Sequence, residues 1–99
     1  MTEAQYVRRL LQTYRTLPHT TGRVRPADRT LATRLFREGL PIDLACTALR
    51  VAISRRQARP NEVEPLPLIR SLHYFLPLFE EARSLQQGYL DYAGDRQPK

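Results

Sequence analysis

The chain has 99 residues, enough for one hydrophobic core and too few for two independent domains. Hydrophobic residues make up 41% and charged residues 26%, a balance typical of a globular protein, so wholesale disorder is excluded. A single cysteine excludes an internal disulfide, and no apolar run approaches the roughly 20 residues of a membrane span. Because the amino terminus also lacks the apolar core of a secretory signal, we expect a cytoplasmic protein with no membrane association.

Positive charge is concentrated in the first part of the chain. Residues 1–59 hold twelve arginines against four acidic residues, a formal charge of +8, whereas residues 60–99 carry −2. Fifteen of the sixteen basic residues are arginine, which a GC-rich genome explains as well as selection for guanidinium chemistry does. Such an asymmetric field steers a polyanion towards one side of the molecule, which favours nucleic acid as a partner.

The first helix is predicted from Thr2, which has the spacing of a capping box with Gln5, to about Leu17. Its apolar residues recur at steps of three and four and form a core stripe: Val7, Leu10, Leu11, Tyr14 and Leu17. A polar edge runs beside the stripe and consists of Arg8, Gln12 and Arg15. Pro18 ends the helix because its ring clashes with the preceding turn, and residues 19–25 have the composition of a loop.

Two helices with similar starts are predicted next, from about 26 to 38 and from about 41 to 57. Each begins with a proline followed two residues later by an acid that complements the helix dipole: Pro26 with Asp28, and Pro41 with Asp43. Only Gly39 and Leu40 separate the two helices, and a glycine suits the left-handed position that ends many helices. So short a link predicts a helical hairpin or corner.

The second helix of this pair is predicted to be the most buried. Its apolar residues cover a wide arc: Ile42, Ala45, Cys46, Leu49, Ala52 and Ile53 in one stripe, widened by Leu44, Ala48 and Val51. Cys46 lies on the stripe, so we interpret it as a small core residue and not as a nucleophile.

Residues 59–67 contain three prolines and are interpreted as a connector. Helical spacing resumes after it, at Ile69, Leu72, Phe75, Leu76, Phe79 and Ala82. Ser71 is the expected cap of a helix that runs to about Leu85, with a kink or break just before Pro77. A last turn is expected to hold Tyr89 and Tyr92 against the core.

Together these elements predict an all-α fold. We expect a compact bundle of four to five helices, with a helical hairpin at residues 26–57 and a kinked C-terminal helix. Residues 1–93 form the single domain, and residues 94–99 are expected to be a disordered tail.

The arginines of the first half are interpreted as a phosphate-contacting surface. Arg29, Thr33 and Arg37 recur every four residues and so share one helix face. The predicted nucleic-acid-binding residues are Arg23, Arg25, Arg29, Arg37, Arg50, Arg55, Arg56 and Arg59. The alternative is that the last three complement a helix dipole and that the others make the fold soluble.

A helix-turn-helix arrangement, with the helix after Pro41 in a DNA groove, is a second interpretation of the hairpin. One polar strip of that helix could face bases: Asp43, Thr47, Arg50 and Ser54. The fit is poor, because Arg34 and Glu38 fall where this motif packs apolar residues between its helices. A buried helix with one solvated edge explains the pattern better.

The sequence offers little for catalysis, and we predict a protein that is not an enzyme. His19 and His73 have no second histidine or cysteine at metal-ligand spacing, and the four glycines form no phosphate-binding loop, so neither a metal nor a cofactor is expected. Tyr89 and Tyr92 resemble the nucleophiles of nicking and recombining enzymes but lack an activating neighbour, so we assign them to packing.

Aromatic residues concentrate in the helix after the connector. Most of this surface is expected in the core. Tyr74 and Phe75 are the candidate partner-binding residues if they are exposed, because aromatic side chains often anchor protein interfaces.

Three local runs carry a family resemblance: Ile69-Arg-Ser-Leu-His-Tyr-Phe-Leu-Pro-Leu-Phe-Glu-Glu81, Ala27-Asp-Arg-Thr-Leu-Ala32 and Gly39-Leu-Pro-Ile42. The chain, over residues 6 to about 92, resembles a family of small bacterial helical proteins found around mobile elements. It also loosely resembles the helical modules of DnaD-like and plasmid replication initiator proteins. The resemblance implies an accessory role in DNA replication, transposition or mobile-element maintenance. The alternative is a non-enzymatic protein-interaction subunit or inhibitor within a larger nucleoprotein complex.

Overall fold

A computed structural model describes residues 1–60 and 66–95, of which residues 86–95 are described only as helical backbone. The elements are, in chain order, α1 (Glu3–Thr16), α2 (Pro26–Arg37), α3 (Ile42–Gln57), a 3-10 helix (Leu72–Phe75) and α4 (Leu76–Asp95). The predicted all-α bundle is confirmed. No helix in the described ranges combines the length and apolar character needed to cross a bilayer.

The helix boundaries follow from the predicted caps. Thr2 Oγ1 accepts from the main-chain N–H of Gln5 at 3.1 Å, and Gln5 Oε1 accepts from the N–H of Thr2 at 2.8 Å, so the capping box is present. Gly39, just after α2, has a φ of +83°, which a residue with a Cβ rarely adopts. This left-handed turn lets the short link direct the chain from α2 into α3.

The core lies around α1. Helix α2 packs chiefly against α1 and not against α3, while α3 packs against both α1 and α4. Cys46 on α3 is buried, as predicted, with its Sγ 3.6 Å from Thr13 Oγ1. Of the first three helices α3 is the most buried, with seven buried residues against four each in α1 and α2.

Tyr6 is a core residue that the predicted stripe of α1 omits. Only 3% of it is exposed, its O–H donates to the carbonyl of Leu40 at 2.7 Å, and its ring meets Phe36 edge-to-face with centroids 5.3 Å apart. Val7 and Leu17, which belong to the predicted stripe, are only half-buried. The buried face of α1 is therefore turned slightly towards the link between α2 and α3.

Alkaline pH is expected to destabilise the fold through Tyr6. Burial, with a smaller contribution from Cys46 and an opposing one from Arg83, raises the pKa of Tyr6 from 10.0 to about 12. Since tyrosine is neutral when protonated, the folded chain keeps a proton that the unfolded chain releases above pH 10. The free energy of unfolding should fall by about 2 to 3 kcal/mol between pH 10 and pH 12.

Denaturant unfolding at a series of pH values tests this expectation, with Tyr6→Phe as the comparison. The variant should lose roughly 1 kcal/mol at neutral pH from the missing hydrogen bond but show a shallower alkaline decline. Some decline should remain, because burial, followed by the charge of Asp28, also raises the pKa of Tyr14. An alkaline profile of Tyr6→Phe parallel to that of the unmodified chain would contradict the assignment.

The segment before α4 is broken where Pro77 predicts it. Ser71 Oγ accepts from the N–H of His73 at 3.1 Å and caps the 3-10 helix, which ends at Phe75. Helix α4 then begins at Leu76, which places Pro77 in its first turn, where a missing N–H costs nothing. Its backbone continues through residues 94 and 95; the predicted packing of Tyr89 and Tyr92 and the rest of the predicted tail lie outside what is described.

Asp28 is a buried carboxylate that accepts hydrogen bonds at the N-terminal ends of two helices. It is fully buried, and its Oδ2 accepts from the N–H of Arg25 at 2.8 Å at the start of α2. Its Oδ1 accepts from Ser71 Oγ at 3.0 Å and from the N–H of Leu72 at 2.9 Å at the start of the 3-10 helix. Asp28 thus links the second helix to the C-terminal part of the chain.

A second link joins the loop after α1 to the segment before the 3-10 helix. Thr20 and Ile69 form an isolated parallel bridge, in which Ile69 N–H donates to the carbonyl of His19 at 2.7 Å. Thr21 N–H donates to the carbonyl of Ile69 at 3.0 Å. His19 has a φ of +70°, so the backbone turns sharply into this pairing.

Candidate nucleic-acid interface

Two of the predicted phosphate-contacting arginines are held by carboxylates. Arg37 Nε lies 3.0 Å from Glu3 Oε1, and Arg55 Nη2 lies 3.2 Å from Glu81 Oε1. Both pairs are exposed to water, which screens them, so each is worth at most about 1 kcal/mol. These two arginines are less available to a ligand than an unpaired arginine.

Arg56 is buried, which corrects its assignment to the phosphate-contacting surface. Only 9% of it is exposed, and its guanidinium donates to the carbonyl of Pro67 at 2.7 Å and to the hydroxyl of Tyr74 at 3.1 Å. The guanidinium carbon also lies 5.4 Å from the centre of the Tyr74 ring. Arg56 therefore holds Pro67 and Tyr74 against α3, and it cannot bind a phosphate while these contacts are present.

We expect Arg56→Ala to lower the free energy of unfolding by about 2 to 3 kcal/mol, because it breaks charge-assisted hydrogen bonds and leaves the carbonyl of Pro67 unpaired. The matched control is Arg55→Ala, which removes the same charge one residue away from an exposed ion pair and should cost under about 1 kcal/mol. Chemical denaturation followed by circular dichroism measures both. Equal losses in the two variants would contradict a structural role for Arg56.

The aromatic pair predicted to bind a partner is divided by the fold. Phe75 is fully buried, with its ring edge-to-face against Tyr14 at 6.1 Å and Tyr74 at 5.2 Å between centroids, so its assignment to a partner surface is wrong. Tyr74 is 44% exposed. The Tyr74 hydroxyl accepts a hydrogen bond from Arg56, so part of the side chain is in contact with the rest of the domain and is not open to a partner.

The polar strip of α3 is exposed along its length: Asp43, Thr47, Arg50 and Ser54. Most other faces of α3 are buried against α1 and α4. Arg50 remains an exposed arginine with no carboxylate partner among the described side chains. The solvated edge that the sequence predicts is confirmed.

A groove between α1 and α2 gathers arginines from both helices. It encloses about 840 Å³ and is lined by Arg8 and Arg15 from α1 and by Arg29 from α2. All three are exposed, and none pairs with a carboxylate among the residues whose side chains are described. Glu3 also lines the groove, but Arg37 neutralises it. We refer to this feature as the α1–α2 groove.

The loop before α2 adds two further exposed arginines beside the groove. Gly22 and Val24 line the groove itself, and Arg23 and Arg25 alternate with them along the chain. In contrast, Arg55, Arg56 and Arg59 surround a separate shallow pocket with Tyr74 and Leu66. The predicted set of arginines is thus dispersed, with Arg37 and Arg50 in neither place, and of the two places only the first forms an open cationic groove.

Sequence reasoning missed Arg8 and Arg15 as site residues. Both belong to the polar edge of the first helix, and their spacing of seven residues, two helical turns, places them on one face. The sequence does not reveal that α2 packs against α1, which adds Arg29 to the lining of the same groove.

Comparison with protein-family models, curated proteins and solved structures finds no match. The chemistry of the site must therefore be argued from its own side chains. Within the described residues, no three histidine, cysteine or acidic side chains come together as metal ligands would. The α1–α2 groove offers guanidinium donors, an amide from Gln12 and a hydroxyl from Thr33, a set suited to binding an anion.

Proposed function

We propose that this protein is a DNA-associated accessory module of a bacterial replication, transposition or mobile-element system, and that it binds phosphates through the arginines around the α1–α2 groove. The observation that carries the proposal is the meeting of Arg8, Arg15 and Arg29, from two helices, without a paired carboxylate in the described structure. The biological setting is taken from the expectation drawn from the three local sequence runs and is itself part of the proposal. The role is one of binding, with no catalytic step.

Guanidinium groups suit this role because they form paired hydrogen bonds to phosphate and stay charged at any physiological pH. Contacts of this kind position a protein on nucleic acid without reading its sequence. The formal charge of +6 for the whole chain adds long-range attraction to the local contacts.

A protein-interaction role is the second candidate, and an apolar pocket between α3 and α4 favours it. The pocket is lined mainly by Leu44, Val51, Leu78, Ala82 and Leu85. Leu85 is 67% exposed, unusual for a side chain of this size. In this alternative the arginines meet an acidic protein surface and not phosphate.

Binding of labelled DNA, measured over a range of salt concentrations, tests the proposal. If the three groove arginines each neutralise one phosphate, log K should fall with log salt with a slope of about −3 or steeper. The slope is this steep because each neutralised phosphate releases counterions into the solution, which added salt opposes. Absence of detectable DNA binding at low salt would contradict the proposal and favour the protein-interaction role.

A further inference from the structure

We propose that the α1–α2 groove binds single-stranded nucleic acid in preference to duplex. This inference rests on the proposed function and concerns which form of nucleic acid the same site accepts. It starts from the floor of the groove, which is apolar although its rim is cationic. Val7 and Val24, which are half-buried, and Leu11, which is buried, line this floor.

An apolar floor between arginines is less well matched by a duplex. In a duplex the bases are stacked inside and their flat faces are covered, so the surface that meets a groove of this kind is mainly phosphate and sugar. A single strand differs, because its bases are free to leave the stack and cover apolar surface while its phosphates remain outside. The floor and the rim together therefore match the two parts of a single-stranded nucleotide.

The size and layout of the groove agree with this occupant. Its volume of about 840 Å³ falls within the range of pockets that enclose a whole small ligand, so an extruded base has room to enter. Arg8 and Arg15 are seven residues apart on α1, which separates them by roughly 10 Å along the helix axis. A strand that follows the groove would meet these two guanidinium groups in succession, and Arg29 of α2 also lines its path.

Guanidinium planes add a second way to hold a base. No aromatic side chain lines the groove among the described residues, so a base cannot stack on a protein ring there. A guanidinium group can stack on the base instead, because arginine packs against aromatic faces as well as donating to phosphate. Gln12, midway between Arg8 and Arg15, supplies an amide that can donate to and accept from a base edge. Recognition here would tolerate many sequences, since every base has a flat apolar face.

Fluorescence anisotropy with three probes at fixed low salt tests the inference on the full chain. The probes are a twelve-nucleotide thymidine strand, a duplex of the same length, and an abasic strand that has the same phosphates but no bases. We expect the thymidine strand to bind at least about tenfold more tightly than the other two, because only it offers unstacked bases.

Two variants connect the preference to the groove. Arg8→Ala/Arg15→Ala/Arg29→Ala should lose the preference, whereas Arg9→Ala/Arg34→Ala/Arg55→Ala, which removes three arginines whose carboxylate partners lie outside the groove, should keep it. Equal affinity for the thymidine and abasic strands, or tighter binding of the duplex, would overturn the inference but leave phosphate binding in place. Failure of all three probes to bind, with binding of an acidic polypeptide such as polyglutamate, would overturn both this inference and the proposed function.

Discussion

Replacing Asp28 with alanine is expected to lower the free energy of unfolding by about 3 to 5 kcal/mol, the largest loss we expect from a single substitution in this chain. The carboxylate accepts three hydrogen bonds, from the N–H of Arg25, the N–H of Leu72 and the hydroxyl of Ser71. Alanine would leave the buried N–H of Leu72 without a partner and would remove the acceptor of the two part-buried donors. Two helices would lose a cap in the same step.

Chemical denaturation followed by circular dichroism measures this loss, and Asp43→Ala is the matched control. Asp43 is also an acid in the first turn of a helix, but its side chain is 87% exposed and it only approaches Arg9 at 3.7 Å, so its removal should cost under about 0.5 kcal/mol. Asp28→Asn should fall between the two, since its amide keeps one acceptor but presents a donor to an N–H. Similar unfolding midpoints for Asp28→Ala and Asp43→Ala would show that the buried carboxylate is unimportant.

Removal of the three groove arginines is expected to weaken DNA binding on the order of 100-fold at low salt, at roughly 1 kcal/mol for each lost guanidinium contact. The slope of log K against log salt should become shallower by about 3 in Arg8→Ala/Arg15→Ala/Arg29→Ala. All three side chains are exposed, so the variant should unfold at nearly the same denaturant concentration as the unmodified chain.

The control for this variant removes equal charge from elsewhere on the molecule. Arg9, Arg34 and Arg55 are each within 4 Å of a carboxylate that does not line the groove, so Arg9→Ala/Arg34→Ala/Arg55→Ala lowers the net charge by three and leaves the Arg37–Glu3 pair in place. Binding should weaken far less than in the groove variant. If both variants lose affinity equally, the net charge of the molecule and not the groove governs binding.

The helices could be predicted because each boundary is determined by residues that are close together in the sequence. The reciprocal hydrogen bonds of Thr2 and Gln5 start α1, and the left-handed φ of Gly39 follows α2. Pro77 separates the 3-10 helix from α4 for the equally local reason that a proline fits a first turn and not a helix interior. These features depend on neighbours within a few residues, which the sequence displays directly.

The burial of three polar side chains could not be predicted, because each depends on a distant part of the chain. In the sequence, Asp28 resembles an ordinary exposed acid at the start of a helix. Its burial depends on Ser71, 43 residues later, whose hydroxyl donates a hydrogen bond to it. Arg56 belongs to a basic run that suggests a solvated helix end, and only the approach of Pro67 and Tyr74 encloses it. Tyr6 likewise turns inward because the carbonyl of Leu40 accepts a hydrogen bond from its hydroxyl.

The candidate site was predictable in its chemistry and only partly in its members. Counting charges along the chain correctly places most arginines in the first half, and Arg29 lies in the predicted set and in the groove. Clustering in sequence is nevertheless a poor guide to clustering in space, since the run at Arg55 and Arg56 is divided between an exposed ion pair and the interior. Arg8 and Arg15 come together through helical periodicity instead.

The loop that carries Arg23 and Arg25 is tied at both ends. Main-chain hydrogen bonds join His19 and Thr21 to Ile69 before it, and Asp28 receives the N–H of Arg25 after it. The backbone of this loop therefore loses much of its conformational entropy during folding, and little more is lost when a ligand binds. Association at this edge should accordingly proceed as a docking of preorganised surfaces, with a smaller entropic penalty than an untethered basic arm would incur.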